Sequence, residues 1–153
     1  MTIFGKSLSE YVSFTRLFLI LIPLVGLLRL GLSLQGVPVS TVRWFSMTVV
    51  GLIALIYYAI RVHTSGFGSY KQLLVVLVLQ SLVSQAVSVL AIVLTMVTGV
   101  ENIFSAPEFG GSQWIHVFAH LFLATIFGAL SSWAIGSLIL LITRKVSPSP
   151  QTA

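Results

Sequence analysis

His116 and His120 stand one helical turn apart in Trp114-Ile115-His116-Val117-Phe118-Ala119-His120. Spacing of i, i+4 lets two imidazoles reach one metal ion, as it does in the zinc-binding His-Glu-x-x-His helix. Here Val117 follows His116, so the glutamate that acts as base in that metalloprotease motif is missing and the class is excluded. Further ligands would have to be carboxylates. Glu101 and Glu108 precede the pair, and with Glu10 they are the only acids in the chain. Two imidazoles with one or two carboxylates make a candidate set for zinc, manganese or non-haem iron. Haem is the other cofactor to weigh. A bis-His haem needs imidazoles from different helices at similar depth, and the one remaining histidine, His63, falls at the opposite end of its segment. A single axial ligand, or a site shared between subunits, is the form of haem binding left open.

A second polar group sits in one apolar stretch as Gln80, Ser81, Ser84, Gln85 and Ser88. Gln80, Ser84 and Ser88 follow one another at i, i+4, as do Ser81 and Gln85, so they form adjoining rows on a helix. Amides facing hydrocarbon are costly, which points this strip into a bundle. It serves either as interhelical hydrogen-bond glue or as the lining of a path for a polar ligand. Arg29, set back inside an apolar stretch, either snorkels to the interface, pairs with Glu101 or Glu108, or joins a ligand site. Absences narrow the field further. The chain has no Asp, and no Glu inside an apolar stretch, which disfavours an embedded carboxylate relay. Gly66-Phe67-Gly68-Ser69-Tyr70-Lys71 lacks the ending of a phosphate loop and reads as a turn. Without cysteine there is no disulfide, thiolate metal site or thiol nucleophile.

The elements that must position these residues follow from composition. Of 153 residues, 57% are hydrophobic and 7% charged, and mean hydropathy is +1.07. Soluble domains carry roughly 25% charged residues, so lipid must be the solvent for most of this surface. Four apolar stretches approach the roughly 20 residues that a spanning helix needs. They lie at about 14–34, 44–60, 73–98 and 115–143, and none shows the alternation of a barrel strand. The expected fold is an all-α integral membrane protein, a four-transmembrane-helix bundle with short connections and no extramembrane domain. Residues 1–146 form its single domain, and 147–153 form a disordered tail. The first span reads as a retained signal anchor, with Pro23 and Gly26 expected to bend it. In the fourth, Ala124, Gly128, Ser132 and Gly136 recur every four residues as a small-residue packing seam. Extended toward the N-terminus, the seam runs through His120 and His116.

Basic residues orient the spans. Lys6, Arg16, Arg61, Lys71, Arg144 and Lys145 fall on one side of a four-span chain, leaving Arg43 and Arg29 on the other. Both termini are therefore expected in the cytoplasm, with the protein in the cytoplasmic (inner) membrane. The net charge of +5 is scattered at span ends and does not form the clustered face that nucleic acid requires. The partners expected are the lipid bilayer and either a second copy or another membrane subunit. Three functions are carried forward. The first is a non-enzymatic accessory, scaffold or self-associating membrane subunit. The second is a metal- or haem-dependent redox protein using His116 and His120. The third is a small permease or lipid-binding protein built around Gln80, Gln85 and Arg29.

Overall fold

A computed structural model describes residues 2–105 and 112–147. Glu108, the Pro107 and Gly110-Gly111 turn signals, and the tail from 148 onward lie outside the described residues. The chain opens with a two-residue hairpin, β1 (Thr2–Ile3) against β2 (Lys6–Ser7). Helix α1 (Leu8–Leu34) follows, then a single turn α2 (Val39–Val42) and helix α3 (Met47–Thr64). Helix α4 (Tyr70–Thr98) leads through a connection to α5 (Gln113–Phe118), a π-helical turn (Ala119–Ala124) and α6 (Thr125–Val146). Among the described residues, four stretches are long and apolar enough to cross a membrane: Leu8–Leu34, Val39–Thr64, Tyr70–Thr98 and Gln113–Val146. The protein is an all-α four-helix membrane bundle.

The helices begin earlier or end later than the apolar stretches, for reasons that lie in their polar ends. Helix α1 starts at Leu8 instead of Phe14 because Ser7 and Glu10 form a capping box. The Glu10 carboxylate accepts from the Ser7 amide at 2.7 Å, and the Ser7 hydroxyl accepts from the Glu10 amide at 3.2 Å. Ser46 caps α3 by accepting from the Val49 amide at 3.3 Å. That helix continues past Ile60 through Arg61, a cation suited to a helix C-terminus, and His63. Helix α1 runs on through Pro23. Gly26 there marks a close approach, since a Cβ at that position would meet Met47 of α3 and Val87 of α4.

Helices α1 and α6 each pack against both α3 and α4, so they occupy opposite corners of the bundle. One end gathers the hairpin, the 65–69 turn and the end of α6. There Gln72 donates to the Phe4 carbonyl at 2.8 Å, and His63 Nε2 lies 2.8 Å from the Ser147 carbonyl. This terminal end holds the densest core, including Tyr11, Tyr58, Leu73, Leu77 and Leu140, all essentially buried. Phe14 stacks on Phe67 at 4.0 Å, and the Tyr58 hydroxyl donates to the Thr15 carbonyl at 3.0 Å.

The far end is closed differently. The connection after α4 folds back so that Asn102 donates to the Ala91 carbonyl at 2.8 Å and to Thr95 Oγ1 at 2.7 Å. The Ile103 amide donates to Ser33 of α1 at 2.9 Å. Asn102 and Ser105 are both buried, so polar side chains plug this end.

Candidate functional site

The polar strip of α4 distributes its residues among three neighbours. Gln80 Nε2 donates to the Gly51 carbonyl of α3 at 3.1 Å. Ser81 donates to the Thr125 carbonyl of α6 at 3.0 Å. Gln85 Oε1 lies 2.6 Å from Nδ1 of His120 in the π-helical turn. These bonds bind α4 to its neighbours where lipid offers no competing partner.

His120 Nε2 in turn lies 3.1 Å from His116 Nε2, completing a Gln85–His120–His116 chain. An N···N bond needs one ring to donate and the other to accept. With Gln85 Oε1 accepting from Nδ1–H, His120 presents a lone pair at Nε2, and His116 is the donor. The π-helical turn is what brings His120 to this place. In an α-helix each step of four overshoots a full turn by about 40°, which would carry the histidines progressively off the seam. The wider π turn holds more than four residues, so one step there falls short and offsets the drift. Thr125 stabilises the widened turn by donating its hydroxyl to the His120 carbonyl at 2.9 Å.

Beside this chain the four spans leave a part-open cavity of 190 Å³, lined by polar groups from α3, α4 and α6. Thr48, Gly51, Gln80, Ser84, Gln85 and Ser132 contribute to its wall. Gln80 is only 8% exposed, and its Oε1 has no hydrogen-bond partner among the described residues. The hydroxyls of Thr48, Ser84 and Ser132 likewise make no hydrogen bond to a described residue. Gly51 and Gly128 bring backbone to the polar groups, a Cβ at either lying 3.3 Å from Gln80 Nε2 or Ser81 Oγ.

The small-residue seam is occupied within the chain. Gly136 is buried against Leu55 and Leu73, at 2.9 and 3.3 Å from a Cβ built on it. Gly128 faces Ser81, Ser132 faces the cavity, and Ala124 lines an apolar groove shared with His116 and His120. The metal set is brought together only in part. His116 and His120 meet, but no group of three potential ligands exists among the described residues. Glu101 is exposed, and Glu108 is outside the described residues. Both ring nitrogens of His120 are engaged, so a metal there would displace Gln85 or His116. His63 sits at the terminal end, remote from the pair.

Arg29 packs its guanidinium 5.4 Å from the Phe104 ring, and its Nε is buried without a partner. The single ion pair among the described residues joins Lys6 and Glu10 at 3.3 Å, so Arg29 pairs with neither Glu101 nor any other described acid. The connection over the bundle mouth is instead tied down by Asn102. Neither Asn102 nor Thr125 stands out in the sequence, since each owes its role to a partner revealed only by folding. No family model, curated protein or solved structure matches this chain.

Proposed function

We propose that this is a non-enzymatic membrane protein of the permease type, which binds a small polar solute in the cavity between its spans. The observation that carries the reading is Gln80 Oε1, a buried acceptor without a partner among the described residues, beside the half-buried hydroxyls of Ser84 and Ser132 and the exposed one of Thr48. Polar groups left bare in a bilayer cost several kcal/mol each on the order of magnitude, so an occupant that hydrogen-bonds is favoured. The glue reading accounts for Gln80 Nε2, Ser81 and Gln85, but not for these groups. The test is flux into vesicles carrying the purified protein. Polar-solute entry above that of empty vesicles, lost in Gln80→Met, supports the reading, and flux equal to empty vesicles sinks it.

The membrane is proposed to be the cytoplasmic (inner) one, with both termini in the cytoplasm. Support comes from Lys6, Arg61, Lys71, Arg144 and Lys145 gathered toward the terminal end. The chain lacks cysteine, so Ser65→Cys and Val100→Cys each give a single labelling site. In intact cells an impermeant thiol reagent should reach the second and spare the first.

An association role, as accessory subunit or self-assembling bundle, is a second reading with its own support. Between Gln113 and Ala124 only Val117 is buried, and the stacked rings of Phe118 and Phe122 face outward at 6.1 Å. This face, and not the glycine seam, is where a partner helix would sit. Crosslinking through Phe122→Cys in native membranes would support it, and a monomer under those conditions counts against it.

A further inference from the structure

The cavity between the spans is selective in its chemistry. Gln80 has its Nε2 committed to the Gly51 carbonyl at 3.1 Å, so the carboxamide cannot turn without facing one oxygen with another. Its Oε1 is therefore a fixed acceptor. Any occupant must donate to it. Thr48, Ser84 and Ser132 offer hydroxyls that donate or accept, so they tolerate either role in the ligand. Among the described residues, no charged side chain lines the cavity. An anion placed there would meet the Gln80 oxygen with no positive charge to offset its desolvation, and a cation would find oxygen dipoles but no carboxylate to neutralise it.

Size adds a second restriction. The part-open cavity of 190 Å³ holds several waters or one small molecule, since a water needs at least about 10–15 Å³ of such space. The apolar part of the wall, Ile22, Met47 and Leu52, accommodates a short carbon or amide skeleton.

We infer that the cavity is a binding site for a small uncharged molecule bearing hydrogen-bond donors, of the amide or polyol class, which donates to Gln80 Oε1 and exchanges hydrogen bonds with Thr48, Ser84 and Ser132. This rests on the solute-binding reading and names the substrate class of that site. A neutral ligand leaves its waters for hydroxyls and a carboxamide of similar strength, so it can occupy and leave the cavity without a large desolvation cost.

The experiment uses the full chain in sealed vesicles, with urea and glycerol as neutral probes and sodium and acetate as charged ones. Stopped-flow light scattering reads the neutral solutes, and entrapped indicators read the ions. Urea or glycerol should enter faster than into empty vesicles, with no gain for sodium or acetate. Gln80→Met should lower the gain about tenfold, the loss expected for one unmade hydrogen bond to a buried group. Ser132→Ala, which leaves the Gln80–Gly51 bond intact, should lower it in the same direction if Gln80→Met proves unstable. A protein-dependent sodium or acetate flux that Gln80→Met removes would overturn the neutral class while keeping a solute-handling protein. Entry of all four probes at the rate of empty vesicles would overturn both.

Discussion

The two ends of this bundle are held together by different physics. At the terminal end, aromatic rings interlock and most polar atoms are paired, as with Tyr58 on Thr15 and Gln72 on Phe4. Toward the far end the same helices separate around a polar cavity, the fourth span widens into a π turn, and Gln80 and Arg29 keep unpartnered atoms. Packing between helices is the chief source of cohesion in lipid. A bundle tightly packed at one end can therefore tolerate polar groups with unmet hydrogen bonds at the other. The terminal end supplies rigidity, and the cavity region carries the candidate chemistry.

Substitutions separate these roles by the size of their effects. Tyr58→Ala should have the largest, about 3–5 kcal/mol of bundle stability, because a fully buried ring and its bond to α1 are both lost. Denaturant titration in mixed micelles would read it. A loss under 1 kcal/mol, on the scale of core truncations, would mean the aromatic cluster is not the anchor. Gly136→Val comes next at about 1–3 kcal/mol, since the added carbons meet Leu55 and Leu73. Retention of wild-type stability there would show that α6 does not depend on the seam.

Gln85→Leu should cost about 1 kcal/mol and leave the fold intact. Its signature is local: the His120 ring resonances in nitrogen-15 spectra should move while those of His63 stay in place. Unmoved His120 resonances would contradict the 2.6 Å contact. Ser84→Ala should be nearly silent in stability, within about 0.5 kcal/mol, because its hydroxyl serves no described protein group. A loss above that range would place Ser84 among the structural bonds and remove it from the ligand site.

The sequence made some of this plain and hid the rest for identifiable reasons. The spans were legible because hydrocarbon imposes length and apolarity together. Their ends were less so, since Ser7 and Glu10 extend α1 by hydrogen bonding that hydropathy does not register. The rows holding Gln80, Ser81 and Gln85 announced an inward polar face, but their division between α3 and the fourth span depended on which groups came opposite. The seam from Gly136 to His116 was visible as a spacing. Its continuity required a π turn, which carries no distinctive residue type. Asn102 closes the far end through contacts with α4, and a lone Asn in a connection gives no hint of that.

The bonds that seal the terminal end join residues 68 and 84 positions apart in the chain. During synthesis the hairpin precedes Gln72, and His63 precedes Ser147 by most of the last two spans. The N-terminal hairpin must wait for Gln72, and His63 must wait for the very end of the last helix. A chain stalled between Gln72 and Ser147 would have its hairpin secured and the His63 imidazole still without this contact. The two bonds thus become possible in a fixed order, that of the hairpin with Gln72 and that of His63 only with the end of the last helix.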